Sequence, residues 1–199
     1  MNRRHCLQLA AAVVAAGSSI TGRAAPSRAV IIYYSRTGNT ARLADRIANL
    51  TGADVIRLEV REPYASDYGA MTDIARREVR TDARRELATV IPDLSVYDTI
   101  FLGTPYWWGG ASVPVNTFLQ DHALAGKTVF PFVTSASSSP DGAVAVMKRR
   151  APKARFMPVF HATDDSLEAS VNLLSRWCGC RQEASCAEGP VHAGLLFNR

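Results

Sequence analysis

The chain has 199 residues, of which 47% are hydrophobic, and this length favours one domain with a sizeable core. No apolar run reaches the roughly 18 residues that a transmembrane helix needs, so stable membrane insertion is not expected. The net charge of +5 falls to +2 without residues 1–25, which leaves 20 basic against 18 acidic residues and gives no case for a nucleic-acid-binding protein.

Residues 1–25 predict an export signal. Arg3 and Arg4 form a positive start, residues 7–16 are apolar except for Gln8, and small residues that offer cleavage sites follow. The paired arginines favour the twin-arginine route, which carries folded proteins. The expected location is therefore the bacterial periplasm. A cytosolic leader or a wrongly assigned start is the alternative, and it would leave the protein in the cytoplasm.

Strand and helix patterns alternate after this leader. The predicted elements, in chain order, are a strand at 29–34, a helix at 40–50, an edge strand at 54–60, a polar stretch with helical charge spacing at 63–89, a strand at 99–102, a helix opened by Pro114, a strand at 128–133, a helix at 141–150, a strand at 155–160 and a last helix capped by Asp165 with Glu168. This order predicts an α/β fold with a doubly wound, five-stranded parallel sheet.

The domain is predicted to span residues 28–177, followed by a tail at 178–199. This tail holds Cys178, Cys180 and Cys186, whose spacing is not the paired C-x-x-C of a zinc site, and no metal site is expected. A disulfide within the tail or unused thiols are the favoured interpretations, and a thiol relay stays open.

Six residues that suit an anion follow the first strand directly. They are Ser35, Arg36, Thr37, Gly38, Asn39 and Thr40. Hydroxyls, a turn glycine and a new helix N-terminus together predict a site for a phosphate group. No Gly-Lys-Ser/Thr follows, which excludes a P-loop, and no G-x-G-x-x-G is present, which disfavours a dinucleotide fold. An ordinary polar turn is the alternative.

Two further segments follow the third and fourth predicted strands. With residues 35–40 as the first segment, the second segment consists of Thr104, Pro105, Tyr106, Trp107, Trp108 and Gly109. The third segment consists of Thr134, Ser135, Ala136 and Ser137. The carboxyl ends of parallel strands meet at one edge of the sheet, where ligands bind. At least one aromatic side chain is expected to be available to stack on a flat ring, although the tryptophans could instead close the core. The serine-rich segment offers hydrogen bonds to a ligand, or is a solvated loop.

The first segment resembles the flavodoxin signature. The matching residues are Ile31, Ile32, Tyr33, Ser35, Gly38, Thr40, Ala44 and Ile47. The second segment is similar to the Pro-x-Trp-Trp-Gly loop of one flavodoxin-like subgroup. The resemblance implies a sheet of order 2-1-3-4-5 and a bound flavin mononucleotide (FMN), with its phosphate at 35–40, its ring at 104–109 and a third loop at 134–138. Members of this subgroup carry glycines in the third loop, whereas this chain has none before Gly142.

The favoured function is an FMN-dependent electron carrier that serves a redox partner protein or a small-molecule acceptor. The alternatives are an NAD(P)H-dependent flavin or quinone reductase, and a flavodoxin-like module that has lost FMN. No catalytic residue is predicted, because the three loops hold no histidine, and His161 is interpreted as structural. The arginine-rich run at 76–86 is interpreted as a solvated helix face, with a docking patch for an acidic partner as the alternative.

Overall fold

The computed structural model describes residues 28–163, 166 and 171–179. Its helices are α1 (Asn39–Thr51), α2 (Tyr68–Arg80), α3 (Val113–Asp121), α4 (Asp141–Arg150) and α5 (Val171–Trp177), and its strands are β1 (Ala29–Tyr33), β2 (Asp54–Arg57), β3 (Thr99–Trp107), β4 (Gly110–Ala111), β5 (Thr128–Ser135), β6 (Arg155–Phe156) and β7 (Phe160–Thr163). The proposed export signal, the Asp165–Glu168 cap, Cys180 and Cys186 lie outside the described residues. Among the described helices, none combines the length and apolarity that a membrane span requires.

The strands form one sheet in which β1 lies between β2 and β3, and β5 lies on the far side of β3. These pairs are parallel, as are the pairs that β5 forms with β6 and β7. The main strands therefore follow the predicted 2-1-3-4-5 order, which confirms the fold class. The structure differs only in detail, because the short β4 shifts the numbering and the last predicted strand is divided.

Helices cover both faces of the sheet. Along β1, Val30 and Ile32 face one core with α2, α3 and α4, while Ile31 and Tyr33 face the other core with α1 and α5. Because alternate residues of a strand point to opposite faces, a strand that is buried on both sides has to be apolar throughout. The run of apolar residues in β1 therefore reflects the doubly wound arrangement.

The strand that was predicted to end before Gly103 continues to Trp107. A Cβ added at Gly103 would lie 2.1 Å from Cζ of Phe132 on the neighbouring strand. This glycine is required by the close packing of a phenylalanine ring and does not end the strand. Most of the predicted aromatic loop is consequently strand.

The predicted edge strand at 54–60 is shorter than expected, because β2 ends at Arg57. Beyond it the chain pairs with residues 86–89: Arg61 N donates to Glu86 O, and Ala88 N donates to Glu59 O, both at 2.8 Å. This pairing also explains why the polar stretch at 63–89 is helical only in α2.

The predicted strand at 155–160 is divided into β6 and β7. Proline cannot donate a ladder hydrogen bond, and Pro158 stands in the gap between the two strands. The carbonyl of Pro158 instead accepts a hydrogen bond of 2.7 Å from Nε1 of Trp177. Both halves still pair with β5, so the edge of the sheet lies where the sequence placed it.

Candidate functional site

The turn between β1 and α1 presents an uncapped helix N-terminus. Gly38 occupies the N-cap position with φ of +94°, a conformation that strongly favours glycine. Its N–H donates to Ser35 Oγ at 3.2 Å, which closes the turn. No side chain caps α1, and its first turn carries no acidic residue. The positive end of the helix dipole is therefore available to an anion.

Arg36 connects this turn to the start of α2. Its guanidinium donates to the carbonyl oxygen of Ser66 at 3.1 Å and lies 5.7 Å from the ring centroid of Tyr68. The contact brings the α2 side chains Met71 and Thr72 beside the turn, where they line the same cavity. These α2 residues were not predicted as site residues, because they belong to a stretch that carries no motif.

A tight hairpin joins β3 to β4. Its two turn residues, Trp108 and Gly109, both have positive φ, of 38° and 86° respectively, as in a two-residue turn of the primed type. Such a conformation is uncommon for a tryptophan. Thr104 Oγ1 accepts from Ser112 N at 2.9 Å, which holds the far strand of the hairpin against β3.

The two tryptophans have different environments. Trp107 is 8% exposed and packs edge-on against Tyr34 and Tyr64, with ring centroids 5.7 and 5.2 Å away. Trp108 is half-buried. The core-closing alternative therefore holds for Trp107, while Trp108 and Tyr106 keep surface to offer to a ligand.

The phenols behind Trp107 are held in their neutral form. Burial raises the pKa of Tyr34 to about 12. Burial and a hydrogen bond to Glu78 raise the pKa of Tyr64 well above its usual value. The Tyr64 hydroxyl donates to Glu78 Oε2 at 2.7 Å, and the guanidinium of Arg85 lies 4.0 Å from the Tyr64 ring centroid. The two tyrosine rings that pack against Trp107 are consequently neutral.

The third segment begins inside β5, which continues through Ser135 beyond its predicted end at residue 133, and it meets the first segment across the cavity. Thr134 Oγ1 and Thr40 Oγ1 lie 2.8 Å apart and share a hydrogen bond. Ser135 Oγ donates to the carbonyl oxygen of Ser138 at 2.8 Å and lies 2.8 Å from Nε2 of His161. The serine-rich segment is therefore tied at both ends and is not merely a solvated loop.

These segments surround one cavity of about 570 Å³ at the carboxyl ends of β1, β3 and β5. Its lining includes twelve of the sixteen predicted site residues, namely Arg36, Thr37, Asn39, Thr40, Pro105, Tyr106, Trp107, Trp108, Gly109, Thr134, Ser135 and Ala136. Ser138 of the predicted third loop and the unpredicted Tyr68, Met71 and Thr72 also line it. Among the described residues of this lining, Arg36 alone is charged.

Four predicted site residues do not line the cavity. Ser35, Gly38 and Thr104 lie behind its surface, where Ser35 and Gly38 close the turn before α1 and Thr104 holds the hairpin. Ser137 is exposed on the third segment. A direct contact of these four with a cofactor stays a prediction, whereas the structure gives the first three a role in shaping the walls.

A doubly wound parallel sheet with a polar-to-aromatic cavity at its carboxyl edge defines a class of α/β proteins that bind a cofactor there. The flavodoxin family model matches residues 28–177. The chain therefore belongs to the flavodoxin family.

Solved structures and a curated relative are similar to this chain. A Bacteroides uniformis structure assigned as a flavoprotein is 27% identical and covers 75% of this chain and 98% of its own, with a TM-score of 0.66. A Lactobacillus acidophilus flavoprotein in complex with FMN is 23% identical, covers 75% and 99% respectively, and has a TM-score of 0.61. An NAD(P)H dehydrogenase (quinone) of Cupriavidus metallidurans is 28% identical over 118 residues, which is 56% of this chain and 58% of that protein. The chain thus spans less than two thirds of this relative's length.

Proposed function

We propose that the protein binds FMN in this cavity and uses it to transfer electrons as a carrier. The observation that carries the proposal is the meeting of an uncapped helix N-terminus, an aromatic hairpin and a hydroxyl-rich segment around one cavity of suitable volume. Membership of the flavodoxin family supports it. The similar flavoprotein of Lactobacillus acidophilus is observed in complex with FMN.

The residues present fit FMN in charge and in polarity. The uncapped start of α1, with Thr37, Asn39 and Thr40, offers donors to a phosphate. None of the described residues that line the cavity carries a carboxylate that would repel it. The half-buried rings of Tyr106 and Trp108 offer faces to a flat aromatic ring. FMN, when bound, supplies the electron-accepting and electron-donating chemistry, and the protein supplies binding, orientation and exclusion of water.

The partner in this proposal is a redox protein or a small-molecule electron acceptor. Location in the bacterial periplasm is part of the same proposal, and it rests on the pattern of residues 1–25. Export of a folded protein would allow FMN to load before transport, and free NAD(P)H is scarce outside the cytoplasm. Both points favour a carrier.

A second candidate is an NAD(P)H-dependent flavin or quinone reductase, favoured by the similarity to the Cupriavidus metallidurans quinone dehydrogenase. The two functions differ in how fast the nicotinamide reduces the flavin. Anaerobic mixing of the FMN-loaded protein with NADH and with NADPH separates them. In a carrier both nicotinamides reduce the flavin slowly, whereas in a reductase one of them reduces the flavin at least as fast as the enzyme turns over.

The first test is a titration of the purified chain with FMN and, separately, with riboflavin, which lacks the phosphate. FMN is expected to bind with altered flavin absorbance, and riboflavin more weakly. Thr37 is exposed and lines the cavity, so Thr37→Val should weaken FMN binding about tenfold, the cost of one hydrogen bond to a charged group, and leave riboflavin binding unchanged. Thr81→Val is the matched control, since Thr81 is exposed at the end of α2 and lies outside the cavity lining. A chain that binds neither flavin contradicts the proposal and supports a module that has lost FMN.

A further inference from the structure

The hydroxyl of Ser135 makes two hydrogen bonds at the edge of the cavity. Its Oγ lies 2.8 Å from the carbonyl oxygen of Ser138 and 2.8 Å from Nε2 of His161 on the neighbouring strand β7. Ser135 is 8% exposed and lines the cavity, whereas His161 is half-buried and does not line it. His161 thus reaches the candidate cofactor site only through Ser135.

Hydrogen-bonding chemistry fixes the direction of both contacts. A carbonyl oxygen can only accept, so the single hydrogen of the Ser135 hydroxyl goes to the carbonyl of Ser138. The second contact is then a hydrogen bond only if Nε2 of His161 carries a proton and donates it to Ser135 Oγ. Both the neutral ring with Nε2–H and the charged imidazolium satisfy this condition.

The consequence concerns the segment that has no glycine. Ala136 and Ser138 line the cavity, and the Ser135–Ser138 bond closes the turn that places them there. The hydroxyl hydrogen of Ser135 is occupied within the protein and is not available to a ligand. The backbone of this turn and the Ser138 hydroxyl remain in the lining, together with the Thr134 hydroxyl, which shares a hydrogen bond with Thr40.

We propose that His161 is a positioning residue for FMN, donating from Nε2 to Ser135 Oγ and so closing the Ser135–Ser138 turn that forms the third wall of the cavity. This inference rests on the proposed FMN function. It replaces the interpretation of His161 as a purely structural residue and explains how a serine-rich segment without glycines keeps a defined shape.

A role limited to strand pairing does not account for this contact. Backbone pairing already joins β5 to β7 from Phe132 opposite Phe160 to Ser135 opposite Thr163. The strands are therefore paired without the His161–Ser135 side-chain hydrogen bond. That bond involves Ser135, the residue at which β5 ends and the turn begins. Its effect is therefore expected in the turn and not in the sheet.

The test compares His161→Leu, which removes the donor, with His161→Gln, whose amide N–H replaces it without a charge. In the full chain, His161→Leu should weaken FMN binding about tenfold, the cost of one lost hydrogen bond with its turn, and His161→Gln should restore it to within about twofold. The FMN midpoint potential should shift in the leucine variant and return in the glutamine variant. His122→Gln is the control, because His122 lies at the end of α3 and stacks on Phe118.

A double-mutant cycle and a measurement without flavin make the result decisive. Ser135→Ala with His161→Leu should bind FMN no more weakly than either single variant, since both act through one bond. Amide hydrogen exchange at residues 136–138 should rise in the flavin-free His161→Leu chain and fall again with glutamine. Unchanged FMN binding in His161→Leu, or a glutamine variant as weak as leucine, overturns the inference. If the wild-type chain binds no FMN, the proposed function fails, while the exchange data still decide whether His161 closes the turn.

Discussion

At the scale of single residues, two glycines, Gly142 and Gly109, make a close contact at the edge of the site. A Cβ added at Gly142 in the first turn of α4 would lie 2.2 Å from the carbonyl oxygen of Gly109 in the hairpin turn. The start of α4 therefore presses directly on the turn that carries Trp108. The first glycine after the third segment is Gly142, and its lack of a side chain lets α4 approach the hairpin.

Gly142→Ala should destabilise the protein by about 1–3 kcal/mol, the usual cost of overpacking, and weaken FMN binding by displacing the hairpin. Helix propensity alone favours alanine by about 1 kcal/mol, so a loss of stability identifies the contact as its cause. Gly69→Ala is a matched control, because Gly69 is also the second residue of its helix and a Cβ there would meet only Asp67 Oδ1, at 3.3 Å. Urea unfolding of both variants is the measurement. A Gly142→Ala chain as stable as the control would show that the hairpin moves freely.

At the scale of elements, helix α2 is joined to the rest of the site by an ion pair that is largely shielded from solvent. Glu78 Oε1 accepts from Arg85 Nε at 2.8 Å, and the two side chains are 16% and 15% exposed. Glu78 also accepts from Tyr64, whose ring packs against Trp107. The pair thus connects α2, the chain after it and the aromatic wall of the cavity.

Glu78→Gln should lower the free energy of unfolding by about 2 kcal/mol, because Arg85 would lose its counter-charge in a largely shielded position, where the loss costs less than at a fully buried one. Glu86→Gln is the matched comparison, since Glu86 pairs with Arg61 while both side chains are more than half exposed, and its loss should cost below about 1 kcal/mol. Chemical denaturation at moderate salt measures both. An equal decrease in the free energy of unfolding in the two variants would show that burial does not determine how much these ion pairs stabilise the protein.

Much of the element order was readable from the sequence, because apolar runs and helical spacing are local signals. The five main strands and a parallel sheet follow from such runs, whereas the strand order was implied by the resemblance to flavodoxins. Three segments of one cavity follow from their position at the carboxyl ends of β1, β3 and β5. The contributions of Tyr68 and Met71 were not readable. They depend on the path of a long polar stretch, which Arg36 fixes through backbone carbonyls 29 and 30 residues away.

The contact of His161 with Ser135 was not readable from the sequence for a related reason. It joins residues 26 positions apart and depends on where β7 begins after Pro158. The division of the last strand sets the register of Phe160–Thr163 against β5, and no local pattern gives that register. Similarly, a glycine at position 103 suggests the end of a strand, but the residue has to be glycine because the ring of Phe132 on the neighbouring strand leaves no room for a Cβ.

At the scale of the whole molecule, the cavity draws together segments that are distant in the chain. Its first and third segments share the Thr40–Thr134 hydrogen bond across 94 residues, and the second segment lies on β3 between them. Each segment extends from a neighbouring strand of one sheet. A ligand in this cavity therefore contacts three segments that separate only when the sheet unfolds. Its binding free energy adds to the free energy of global unfolding.

FMN at 100 times its dissociation constant should stabilise the folded chain by about 2.7 kcal/mol, because it binds the assembled cavity and not the unfolded chain. For a domain of this size the unfolding midpoint should rise by about 5–10 °C. Thermal unfolding followed by circular dichroism, with FMN and with riboflavin at equal concentration, measures the effect. Riboflavin should give a smaller shift, since it offers nothing to the N-terminus of α1. Thr37→Val should reduce only the FMN shift. A midpoint that rises equally with both flavins would place the binding energy in the aromatic hairpin and count against a phosphate site at residues 35–40.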